Sequence, residues 1–181
     1  MKSTTNTKKF VRREPPRMVL ATMTIAFVVV MITVSQIPRA SAEQMEIINA
    51  SREIPASVDK VWNIISDVDK DPLYWSGIKE VKNVNINSNV VERDITTINN
   101  AEAHQIVTLD PKKSIIINQT AGPIIGTRTL ILSPSDVNGT KIDVSWNMDL
   151  SGIPIIGRGF AKENILKFTE EALNKIADAA K

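Results

Sequence analysis

Residues 53–81 read EIPASVDKVWNIISDVDKDPLYWSGIKEV, and the hydrophobic period changes twice along them. A strand-like run ends at Ile54-Pro55. Ser57 is placed to cap a helix, because its hydroxyl can accept a free N–H of the first turn. Val58, Val61, Trp62 and Ile65 then fall at i, i+3, i+4 and i+7, one apolar stripe of a short helix. Asp69, Asp71 and Pro72 stop that helix, and the loop Tyr74-Trp75-Ser76-Gly77 leads into a new strand at Ile78. Trp62 reads as a core residue. Trp75, in a loop, reads as core or as the mouth of a pocket.

The flanking chain extends the pattern. Residues 44–54 are a first strand. Runs 78–86, 90–98, 101–109, 114–120, 127–133 and 141–150 are β-rich and separated by short turns, among them Asn87-Ser88-Asn89, Asn99-Asn100 and Asn138-Gly139. That spacing predicts an antiparallel meander. The clearest alternation is Ile142, Val144, Trp146, Met148 and Leu150 against Asp143, Ser145, Asn147 and Asp149, one face buried and one wet. A glycine-rich connector over 152–159 precedes a helix predicted over 160–180. Its stripe is Ala161, Ile165, Phe168, Ala172 and Ile176, widened by Leu173 and Asn164. A sheet with one apolar face needs a cover, and this last helix is the only long amphipathic one.

Ile54, Ala56, Ser57, Val61, Trp62, Ile65, Asp67, Pro72, Trp75, Gly77, Ile78 and Val81 stand where the opening of the START/Bet v 1-like superfamily (SRPBCC; polyketide cyclase/dehydrase and lipid transport) has its characteristic residues. The chain resembles that family over roughly residues 45–180, weakly in the middle strands. The resemblance implies an α+β helix-grip fold, a curved antiparallel sheet wrapped around a long C-terminal helix. It also implies a cavity between the two for an apolar ligand. The family carries many functions on one scaffold, so the likeness names no ligand.

The ends and the composition set further bounds. Residues 1–42 hold seven basic residues against Glu14 alone, leaving 15 basic and 19 acidic residues for the remainder. Met18 to Val34 is apolar and uncharged, and Ala40-Ser41-Ala42 is a cleavage pattern. The segment reads as a signal peptide cleaved after Ala42. The alternative is an uncleaved anchor helix that spans a bilayer through residues 18–37. Both place a ligand-binding domain of residues 43–181 outside the cytoplasm. That domain lacks a basic run that would follow a phosphate backbone, so nucleic acid is not an expected partner. With no cysteine in the chain, disulfides and thiolate chemistry are excluded, and a single histidine excludes a histidine-rich metal site. Neither metal nor cofactor is expected, and the domain reads as a monomer.

Candidate site residues follow from the rows. Trp146, Met148, Phe160, Ile165 and Phe168 suit an apolar lining or, equally, a filled core. Arg93, between Val91 and Ile95, could hold a ligand anion as a fork, or be exposed or paired with Glu92 or Asp94. Arg158, between two glycines at the start of the last helix, could form an anion site at the rim or be solvated. Ala101, Ala103, Gln105, Val107 and Leu109 form the more apolar row of their strand, so His104 is expected on the wet face. Asp67, Asp69 and Asp71 read as a solvated acidic loop.

The function expected is an exported binding protein for a hydrophobic small molecule, a lipid or quinone-like compound. Trp75, Arg93, Trp146, Met148, Arg158, Phe160, Ile165 and Phe168 would hold it, and none would be catalytic. Two alternatives stay open. One is a cyclase or dehydratase-like enzyme using the same cavity, with polar chemistry from His104, Arg93, Glu102 or Asp94. The other is a surface-interaction domain with a filled core.

Overall fold

The computed structural model describes residues 45–136 and 138–181. The leader or anchor expected over 1–42 lies outside the described residues. The described part starts with β1 (Met45–Ile54), followed by α1 (Val58–Ile65). Ser57 caps α1, its hydroxyl accepting from the Lys60 N–H at 3.3 Å, and Val61 and Ile65 are buried beneath it. Trp62 is half-buried and packs at the edge of the core.

The chain between this helix and the next strand is more structured than the sequence suggested. A 3₁₀ turn (Val68–Lys70) runs into α2 (Asp71–Tyr74), one turn with Pro72 at its start. Proline suits that place because its missing N–H would have had no partner there.

Six strands follow: β2 (Ile78–Asn87), β3 (Val90–Thr97), β4 (Glu102–Asp110), β5 (Ser114–Ala121), β6 (Ile125–Ser135) and β7 (Gly139–Asp149). They form one sheet with β1, in the order β1-β7-β6-β5-β4-β3-β2. Every neighbouring pair is antiparallel. Register shifts in β2 and at His104/Gln105 in β4 add local bend and twist, and the sheet curves around its apolar face. Gly126 keeps the β6–β7 pairing close. Its φ is +151°, and a Cβ there would collide with the Asn147 carbonyl oxygen and Met148 Cα.

Alternation sets the core. Val91, Arg93 and Ile95 of β3, Ala103, Gln105 and Val107 of β4, and Ile115 and Ile117 of β5 all point inward. So do Arg128, Leu130 and Leu132 of β6 and Ile142, Val144 and Met148 of β7.

The last helix, α3 (Ile155–Ala179), lies against this face, burying Thr169, Ala172, Leu173, Ile176 and Ala177. It starts five residues before the expected Phe160. Pro154 stands at the N-cap with φ −52°, and Gly157 and Gly159 lie inside the helix rather than in a connector. Each glycine costs the helix about 1 kcal/mol relative to alanine. The stripe also differs: Asn164 is exposed, and Thr169 is buried beside Ala172 and Leu173.

Candidate ligand cavity

One turn of helix organises the site. In α2 the Trp75 N–H bonds the Asp71 carbonyl at 2.8 Å, so both side chains leave the same side of the turn. Both meet Arg128 of β6. The Asp71 carboxylate lies 3.3 Å from Arg128 Nη2, and the Arg128 guanidinium carbon lies 3.8 Å from the centre of the Trp75 ring. Trp146 of β7 closes the other side, 5.1 Å from the same carbon and edge-on to Trp75 at 6.3 Å. Its indole N–H donates to Thr169 Oγ1 at 2.9 Å, and that hydroxyl donates to the Ile165 carbonyl at 2.7 Å. Sheet and helix are thus tied where the aromatic wall stands.

Arg93 is fully buried, and each of its three nitrogens has a partner. Its Nη2 donates to Asp71 at 2.6 Å, Nη1 to the Val68 carbonyl at 2.7 Å and Nε to Gln105 at 3.0 Å. Gln105 continues to Gln119 at 2.9 Å, and Gln119 donates to the Ile124 carbonyl. Arg128, 4 % exposed, is not saturated: its Nε is buried without a partner. Burial pulls its pKa down to about 10. Asp71 opposes that shift, and Arg93 adds to it.

Above this charged floor lies a cavity of about 440 Å³, within the size range of small-molecule sites. Trp75, Ile78, Ile95, Ile117, Trp146, Met148, Ile165 and Phe168 give it apolar walls, and Gln105, Gln119 and Arg128 are its polar inner groups. Ile98 and Asn99 of the β3–β4 turn, Pro123 and Ile124 of the β5–β6 loop, and Ile153 before α3 also contribute to the lining.

Of the residues singled out from sequence, Trp75, Trp146, Met148, Ile165 and Phe168 line this space. Arg93 does not line it, nor is it exposed or paired with Glu92 or Asp94. The chain after α1 brings Asp71 under the sheet, and Arg93 closes on it. Arg158 also lies outside the lining, because its Nε turns back to the Ile153 carbonyl at 3.0 Å within the early start of α3. Phe160 is 68 % exposed on that same stretch.

His104 stands on the wet face of β4, with Nδ1 2.8 Å from Asp94 and Nε2 3.2 Å from Glu92. The hydrogen bond to Asp94 raises its pKa. Neither His104, Asp94 nor Glu102 reaches the cavity. Asp71, read as part of a solvated loop, is buried; Asp67 and Asp69 meet Lys70 and Asn83 near the surface. Sequence reasoning missed Arg128, Asp71, Gln105 and Gln119 as site residues. Arg128 had a signal, since it shares its row with Leu130 and Leu132. Among the described residues no cluster of acidic or histidine side chains could hold a metal ion.

The sequence model of the family described as polyketide cyclase / dehydrase and lipid transport matches residues 45–181. A sequence search of curated proteins finds no match. Among solved structures, TTHA0849 from Thermus thermophilus is similar at 16% identity, with a TM-score of 0.66, covering 75% of this chain and 97% of its own. The Zhui aromatase/cyclase from Streptomyces sp. R1128 matches at 14% identity and TM-score 0.66, covering 76% and 94%. A START superfamily protein from Mycobacterium smegmatis matches at 16% identity and TM-score 0.54, covering 74% and 92%. At such identities the likeness is one of fold.

Proposed function

Since the chain belongs to the polyketide cyclase / dehydrase and lipid transport family, we propose that it is an exported binding protein that holds a hydrophobic small molecule between sheet and last helix. The cavity carries this reading: its walls are mostly aliphatic and aromatic, yet it is not filled by side chains. Binding would be driven by removing apolar ligand surface from water, at about 25 cal/mol per Å².

A carrier is favoured over an enzyme by the lining. Its polar side chains are Thr97, Asn99, Gln105, Gln119 and Arg128, and none titrates near neutrality to serve as general acid or base. Export rests on the leader's basic start, apolar run and cleavage pattern. Ile155 and Ile156 are 80 % and 89 % exposed beside the rim residue Ile153. Together with exposed Phe160 they would suit contact with a lipid surface during loading.

Native mass spectrometry of the purified protein after incubation with a total lipid extract tests the proposal. A stoichiometric adduct that is lost on denaturation, and is reduced by Ala101→Phe at the cavity wall, is the expected result. A bare protein across several lipid classes would overturn it.

A further inference from the structure

We propose that the ligand of this cavity carries a monoanionic, planar oxygen head such as a carboxylate, received by the incompletely bonded guanidinium of Arg128 on the cavity floor. The inference rests on the reading of the cavity as a ligand site and adds the chemistry of the ligand's polar end.

Among the described residues, two guanidiniums, Arg93 and Arg128, are buried around a single carboxylate, Asp71. Gln105 and Gln119, which continue the network, are neutral. One positive charge is therefore left uncompensated in a water-poor place, where an unpaired charge is costly. One negative charge restores neutrality; two would overshoot.

Asp71 does not divide itself evenly: it sits 2.6 Å from Arg93 and 3.3 Å from Arg128. All three Arg93 nitrogens have partners. In Arg128, among the described residues, only Nη2 has one, and Nε is buried with none. A guanidinium offers five N–H donors in a planar fork that matches a carboxylate. The Trp75 face at 3.8 Å holds the Arg128 plane in place, so the fork is already ordered before a ligand arrives. Burial also pulls the Arg128 pKa down to about 10, and an anion beside it would reverse that shift.

Beyond Arg128 in the same row, Leu130 and Leu132 are packed core. Toward the β5–β6 loop the row reaches Gly126, beside Ile124 in the lining. An amphiphile entering from the loops would meet apolar walls along its length and the cation at its end.

The test is a binding titration followed by tryptophan emission, using sodium dodecanoate, its methyl ester and 1-dodecanol at neutral pH. The proteins are the wild type, Arg128→Gln and Arg128→Lys. In the wild type dodecanoate should bind at least about tenfold tighter than either neutral probe, as a charge-assisted bidentate contact provides. Arg128→Gln should erase that preference while dodecanol affinity stays within about threefold. Arg128→Lys should keep part of it, since a lysine supplies charge without the fork. If the neutral probes bind the wild type as well as dodecanoate, the anionic head is refuted and the cavity reading stands. If dodecanoate preference survives Arg128→Gln, the head sits elsewhere. If none of the probes binds the wild type, the cavity reading fails with it. The wild-type comparison decides the first and last outcomes even if a variant does not fold.

Discussion

Replacing Asp71 by asparagine should be among the most damaging single changes in the domain, although it alters few atoms. Among the described residues, the Asp71 carboxylate is the only anion within reach of two buried cations, at 2.6 and 3.3 Å. The neutral amide would keep the shape and leave two guanidiniums facing each other unpaired. Breaking a buried pair by removing one partner costs about 3–5 kcal/mol, and here both Arg93 and Arg128 lose their anion. At roughly 2–4 °C per kcal/mol for a domain of this size, the midpoint of thermal unfolding should fall by on the order of 10 °C. Arg93→Met is the control. It abandons the Val68 carbonyl and Gln105, at about 1–3 kcal/mol, but leaves Asp71 to pair with Arg128. The order of stability should therefore be wild type, Arg93→Met, Asp71→Asn. Urea unfolding followed by emission from Trp75 and Trp146 measures all three. If Asp71→Asn unfolds within about 1 kcal/mol of wild type, or is more stable than Arg93→Met, the account of a charge-starved cluster is wrong.

Three further outcomes are expected. Thr169→Val keeps the volume but strands the Trp146 indole N–H, and urea midpoints should show a loss of about 1–3 kcal/mol with an altered near-ultraviolet tryptophan band. Gly126→Ala combines φ +151° with a collision against the backbone of Asn147 and Met148, so it should lose more than about 1 kcal/mol, read as thermal midpoint or soluble yield. His104 has its pKa raised by Asp94 and Glu92. Its contribution is complete below the unfolded value and is lost as pH rises through the folded one. Wild type should lose up to about 1 kcal/mol relative to His104→Asn between about pH 6 and 8, measured by urea titrations at several pH values.

Local pattern carried most of the fold. Ser57 and the stripe Val58, Val61, Trp62, Ile65 placed α1, and the period of two in β4 and β7 assigned their faces, including His104 to the outside. The same rule was available for Arg128, in register with Leu130 and Leu132, but a lone arginine is ordinarily exposed. What buries it is Asp71, remote in sequence and delivered by a turn of helix whose residues Asp71-Pro72-Leu73-Tyr74 look like a stop signal. A charge pair made across the fold leaves no periodic mark in either segment. The start of α3 was hidden for a different reason. Gly157 and Gly159 argue against helix by propensity, while Pro154 at the N-cap and the packing further along the helix decide for it.

The strand order also has a consequence for how the chain matures. β1 is the first described element of the domain, yet its hydrogen-bonding partner is β7, with Met45 opposite Asp149 and Ile54 opposite Thr140. Among the described residues no other strand flanks it. During synthesis this strand must wait, unpaired, until nearly the whole domain exists, and closing so long a loop is slow. α3, which covers the apolar face, comes later still. In a chain exported as proposed, passage that begins before β7 is made would meet a sheet still open. Until then the chain could still be threaded as an open polypeptide.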